Sequence, residues 1–162
     1  MKELKWKPFW AILRISAGFI FMWPFLDKLF GLGMTTAPGK SWLAGGSPTA
    51  GFLSGTSGTF SWIFHQIAQS QIVTWLFMLG LLFVGITFIL GIALKPGAIA
   101  GTIMLFLMWL SVFPPSGNPF MDYHWFYAFA LITSALIGSG NYFGLGKWWK
   151  ELDFVRKFKI LE

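Results

Sequence analysis

The chain has no cysteine in its 162 residues. That excludes a structural disulfide, a thiolate nucleophile, a cysteine-held iron–sulfur cluster and thioether-attached haem. It also has little charge: six carboxylates and twelve lysines and arginines make up 11% of the residues, and the net +6 gathers toward the two ends of the sequence. With no basic face spread over a domain, nucleic acid is not expected as a partner. Histidine is scarce as well, occurring only as His65 and His124. A bis-histidine haem would need both, one of them from a surface helix, so no metal or haem is expected.

What is abundant is apolar surface. Hydrophobic residues are 56% of the chain, aromatics 20%, and the mean hydropathy is +0.66, more than one soluble core hides. Four runs approach the roughly 20 residues that cross a bilayer as a helix, at about 9–31, 71–94, 97–114 and 123–141. The basic amino-terminal flank resembles that of a signal peptide, but the apolar run from Phe9 to Leu32 is too long for an h-region, so it reads as a retained span. The fold class expected is all-α: an integral membrane four-helix bundle over residues 1–146, with an outer-side insert at 33–70 between helices 1 and 2 and a basic amphipathic tail at 147–162. Lys2, Lys5, Lys7, Lys95, Lys147, Lys150, Arg156, Lys157 and Lys159 fall on one side of such a bundle, and Lys28 and Lys40 on the other. The excess of basic residues puts both termini in the cytoplasm and the protein in the cell membrane. In the tail, Trp148, Leu152, Val155 and Phe158 recur at helical spacing opposite lysines and Arg156, a pattern for lying on anionic lipid.

The insert opens with a glycine-, serine- and proline-rich loop and closes with Phe60, Ile63, Phe64 and Ile67 at helical spacing, which predicts a short helix on the outer membrane surface. His65 falls on its polar face. GLGMTTAPGKS in the loop is no phosphate loop, having five residues between Gly33 and Gly39 instead of four and no preceding strand. Its backbone and Lys40 remain candidates for cradling a small anion. Gly97 and Gly101 form a G-x-x-x-G, which predicts close helix packing.

The first span carries Arg14 and then FMWPFLDKLFGLG. Pro24 removes one intrahelical hydrogen bond, so a kink is expected there. Asp27 and Lys28, as neighbours, point about 100° apart on a helix and cannot simply neutralise each other. Asp122, Tyr123 and His124 open the fourth span near the level at which Lys28 leaves the first. The pairings expected are Lys28 with Asp122, and Asp27 with His124 or Lys40. Structural alternatives stand beside them: the charges reach headgroups or clip helices one and four together, and Arg14 reaches cytoplasmic headgroups. Trp23, Trp42, Trp62, Tyr123 and Trp125 gather near the same outer level, where an aromatic belt accounts for most of them and a flat quinone ring would also find stacking faces.

The runs FLDKLFGLG, GKSWLAGGSPTAGFL, WLFMLGLLFVGITFILGIALK and PSGNPFMDYHWFYAFALI, with GLGKWW, resemble the DoxX/DoxD family, especially the DoxD-type membrane subunit of thiosulfate:quinone oxidoreductase. The resemblance implies thiosulfate oxidation to tetrathionate at the outer face, quinone as electron acceptor, membrane lipid as surroundings and a separate small DoxA-like subunit as partner. It implies a substrate set of Lys40, Arg14 and the N–H groups of Gly45 and Gly46, and a catalytic set of Asp27, Lys28, Asp122 and His124, the last two managing protons. Trp23, Trp42, Tyr123 and Trp125 would stack the quinone. Relatives without a catalytic role make a membrane scaffold or assembly partner of a redox complex the other reading. A small-solute transporter would require the chain to form a homo-oligomer.

Overall fold

The computed structural model describes residues 6–161. It is all-α, with no strand among the described residues. Three helices are long and apolar enough to cross a membrane: α1 (Lys7–Phe30), α4 (Gln71–Leu90) and α5 (Leu94–Ser111). α2 (Ala50–Ser54) and α3 (Ser61–Ile67) lie between α1 and α4, α6 (Tyr123–Leu136) follows α5, and α7 (Gly146–Glu151) and α8 (Asp153–Lys157) close the chain. α1 runs on through Pro24 without interruption.

α1 packs on α4, α4 on α5, α5 on α6 and α6 on α1, and glycines set how closely. A Cβ on Gly18 would stand 2.8 Å from the Ile89 nitrogen, and one on Gly85 would stand 3.1 Å from the Met22 Cα. The two contacts fix an antiparallel α1/α4 register with the backbones nearly touching. On α5, a Cβ on Gly97 would run into Thr87 of α4, and one on Gly101 would lie 2.5 Å from a Leu131 methyl of α6. The small-residue spacing read from the sequence thus holds α5 against both neighbours. Met78, Val84, Phe88 and Leu131 are fully buried at the centre of this packing.

α4 buries Thr74, Met78, Leu81, Val84 and Phe88 on one side. On the other it exposes Ile72, Leu76, Leu79, Phe83, Ile86 and Leu90, spaced by alternating fours and threes, so the helix is apolar all round. Water would penalise a continuous stripe of this kind, and hydrocarbon would not.

Helix ends depart from the sequence reading where glycine intervenes. α4 stops at Leu90 because Gly91 takes φ 75° as its left-handed cap. α6 stops at Leu136, two residues before Gly138 at φ 63°, and spans only about 21 Å at 1.5 Å per residue. The predicted surface helix is α3, but it does not lie isolated: Phe64 packs with Leu53 and Ala68 in a small second core that also takes Val73 and Leu110. The tail is not one amphipathic helix either. Leu152 is extended between α7 and α8, Val155 is buried in protein, and the Trp149 indole N–H donates to the Leu161 carbonyl at 2.5 Å.

Candidate functional site

Among the described residues, the buried titratable side chains are Arg14, Asp27 and His124, and each rests on a different kind of partner. Arg14, with no exposed surface at all, sits on α1 opposite the end of α4. Its Nη1 donates to the carbonyls of Phe88 and Ile89 at 2.7 and 3.0 Å, and its Nη2 to those of Tyr142 and Phe143 at 3.2 and 2.9 Å. The first two are C-terminal carbonyls of α4, which lack intrahelical partners and carry the negative end of its dipole. The second two lie on the turn after α6, where Phe143 has φ 47°. Nε alone is without a partner. The turn fits around the guanidinium only because it is made of glycine. A Cβ on Gly91 would stand 2.5 Å from Nη1, and one on Gly144 would stand 3.0 Å from Nη2. Arg14 therefore reaches neither headgroups nor the substrate set: its four terminal N–H bonds are occupied by main chain.

At the other end of α1, Asp27 is 1% exposed. Its Oδ1 accepts from the Met34 N–H at 3.1 Å, and its Oδ2 accepts from the Thr35 N–H at 3.0 Å and the Thr35 hydroxyl at 2.6 Å. Lys28 donates to the same hydroxyl at 3.3 Å. The carboxylate thus folds the chain back over the end of α1, which Gly31 at φ 70° allows. The expected pairings of Asp27 with His124 or Lys40, and of Lys28 with Asp122, do not form. The reason is local: two N–H groups and a hydroxyl seven and eight residues on satisfy Asp27 without help from another helix.

Asp122 and His124 form the third centre. Asp122 is the N-cap of α6, accepting from the His124 N–H at 3.0 Å through Oδ1. Its Oδ2 lies 2.8 Å from His124 Nδ1, and the imidazole is 3% exposed. With the carboxylate ionised, Nδ1–H is the donor of this contact. Tyr123 stacks on the ring with centroids 4.1 Å apart. On the α5 side, His124 borders a cavity of about 10 Å³ together with Thr102 and Trp125, room for about one water molecule. Thr102 Oγ1 and Trp125 Nε1 are buried there without a partner. Neither was singled out by sequence for this role, because a threonine in an apolar run and a tryptophan near an interface each have a commoner explanation.

The remaining predicted residues are dispersed. Lys40 is exposed on the helical turn Pro38–Lys40. The Gly45 and Gly46 N–H groups are not open to an anion, since they donate within the loop to Trp42 at 3.0 Å and Ser41 at 2.9 Å. The four rings of the expected quinone set take different neighbours: Trp23 stacks with Phe19, Trp42 meets Trp75 edge-on, Tyr123 covers His124 and Trp125 meets Trp109. His65, exposed as read, hydrogen-bonds the Thr56 carbonyl at 2.9 Å.

Fold and site together define an all-α protein whose long apolar helices suit a membrane. Comparison with family models, with curated proteins and with solved structures gives no match.

Proposed function

We propose that this chain is the membrane subunit of a quinone-linked oxidoreductase, with thiosulfate as the electron donor that its sequence resemblance implies. Two thiosulfates joined as tetrathionate release two electrons, and a quinone takes these with two protons to become a quinol. The observation that carries the reading is the buried Asp122–His124 pair, whose 2.8 Å contact orients the imidazole with Nε2 able to accept a proton. The cavity beside it is too small for a quinone ring, so a quinone at this pair meets the exposed Tyr123 face from the lipid side. Lys28 and Lys40 supply positive charge for the anionic donor. Asp27 positions the loop between them and takes no part in proton transfer.

In this reading α1, α4, α5 and α6 are four spans of the cell membrane. The segment at 33–70 lies outside, both termini are cytoplasmic, and a small DoxA-like subunit completes the complex. Membranes holding the protein with that partner should reduce a quinone analogue on addition of thiosulfate, and His124→Ala should abolish the reduction while leaving folded protein. Full turnover in His124→Ala would reject the site.

A second reading, a non-catalytic membrane scaffold or assembly partner of a redox complex, is favoured by Arg14 and Asp27, which bind main chain and loop instead of a ligand. Purification in mild detergent followed by mass spectrometry separates the two. Stoichiometric quinone supports the first, and a stable protein partner without quinone supports the second.

A further inference from the structure

The carboxyl-terminal segment folds back onto the helices instead of running away from them. α8 follows α7 through the extended Leu152, and the chain then enters a helical turn, Lys159–Leu161, that packs against α5. Two bonds pin this turn. The Lys95 ammonium donates to the Lys159 carbonyl at 3.0 Å, and the Trp149 indole N–H donates to the Leu161 carbonyl at 2.5 Å. Lys95 is the second residue of α5, a helix long and apolar enough to cross a membrane. The turn is therefore held at the level where that helix begins.

Folding also sorts the apolar side chains differently from a single amphipathic helix, whose spacing groups Trp148, Leu152, Val155 and Phe158. Val155 is wholly buried and Leu152 half-buried, whereas Phe154, Phe158 and Ile160 are exposed, at 49, 54 and 54%. On a continuous helix Phe154 would point about 160° away from Leu152, so the break at Leu152 changes which face is presented. Arg156, Lys157 and Lys159 alternate with these apolar residues and are all exposed. No carboxylate occurs from Phe154 to Ile160, and over 147–162 five lysines and arginines stand against three carboxylates. Water penalises two aromatic rings and an isoleucine exposed so close together, while an anionic lipid interface accepts both the apolar groups and the cations.

We infer that Phe154, Phe158 and Ile160 dock on an anionic lipid surface, with Arg156, Lys157 and Lys159 meeting its headgroups. Val155 and the two tethers fix the docked segment to the helices. The inference rests on the reading that α4 and α5 span a membrane. An acidic protein would match the charge, but the position beside the start of a membrane helix favours lipid.

The chain has no cysteine, so a single introduced cysteine can carry a spin label in the full protein without background. The protein is placed in phosphatidylcholine vesicles with and without phosphatidylglycerol, and each label is tested for collision with oxygen, which concentrates in hydrocarbon, and with a water-soluble nickel chelate. With phosphatidylglycerol present, labels at Phe154→Cys and Ile160→Cys should favour oxygen, and a label at Leu152→Cys should do so less. Adding Arg156→Gln with Lys157→Gln should lower the docked-to-free ratio about fivefold per cation, about 25-fold for the pair, and phosphatidylcholine alone should give the same direction of change. Labels at 154 and 160 that stay in water in both lipids would overturn the inference and leave the patch to an acidic protein. Equal depth in both lipids, or a label at 152 deeper than at 154, would overturn it as well, the latter in favour of one amphipathic helix. A label at Leu79→Cys, on the exposed face of α4, separates the two levels of the argument: it should favour oxygen in both lipids, and its failure to do so would overturn the spanning reading itself. If Phe154→Cys does not fold, Phe158→Cys replaces it with the same criterion.

Discussion

Replacing Arg14 should be among the most damaging single changes this chain can suffer. Its guanidinium makes four hydrogen bonds to carbonyls of Phe88, Ile89, Tyr142 and Phe143, and Arg14 is wholly buried. Each charge-assisted bond contributes about 1.5–3 kcal/mol, but the four share one side chain and do not add. Removing the guanidinium leaves buried carbonyls without their donor at about 1–3 kcal/mol each, and with non-additivity the total is on the order of 3–5 kcal/mol. For a chain of this length, roughly 2–4 °C per kcal/mol puts the loss on the order of 10 °C in Tm. Lysine keeps the charge but lacks the planar fork that bridges two segments, so Arg14→Lys should fall between wild type and Arg14→Met. The assay is thermal unfolding in detergent, followed by tryptophan fluorescence, with trypsin sensitivity at Lys147 as a local reporter. Arg14→Met should be cut there before any global transition, because the turn at 139–146 has lost its anchor. If Arg14→Met melts within about 2 °C of wild type, the reasoning is wrong and the guanidinium carries no architectural load.

Asp27→Ala leaves two N–H groups and a hydroxyl without their acceptor; it should cost about 2–3 kcal/mol and expose the loop after α1 to protease, with a smaller loss of about 1 kcal/mol in Thr35→Val, both read from the melting curve. Gly101→Val would drive a side chain into Leu131 and Val84 and should cost about 1–3 kcal/mol by overpacking, whereas Gly39→Ala, with nothing within 4 Å of the new methyl, should melt like wild type. Asp122→Ala removes both the α6 cap and the His124 partner. It should cost about 1–2 kcal/mol and, in the quinone assay, lower turnover more than Asp122→Asn, whose amide oxygen still accepts from the His124 N–H while its NH2 can only donate toward the ring.

The sequence makes helix type and the glycine packing of α5 readable, because each leaves a mark in side-chain identity: long apolar runs, and Gly97 with Gly101; the end of α4 does not, since the run stays apolar past Gly91, where the helix stops. Helix α5 even starts earlier than expected, at Leu94, since Pro96 falls in its first turn, where a missing N–H does no harm. The positions of charged residues were equally visible, but their partners were not. Asp27 and Lys28 are ions in an apolar helix, for which opposite charge on another helix is the expected partner. The groups that satisfy them are the main-chain N–H groups of Met34 and Thr35 and one hydroxyl. Every residue carries such main-chain groups, so no pattern of side chains announces which of them will be free.

Arg14 shows why that blindness follows from the physics of apolar surroundings. An ion pair needs two charges brought out of water, each at a desolvation cost that the mutual attraction often fails to return. A helix end brings carbonyls that are unpaired whatever the sequence, with about half a negative charge already aligned. Placing one guanidinium at the end of α4 satisfies two of these acceptors and two carbonyls of the turn after α6 for a single buried ion, and ties α1 to both at one point. In a protein with so few charges, stapling by main chain is the cheaper solution.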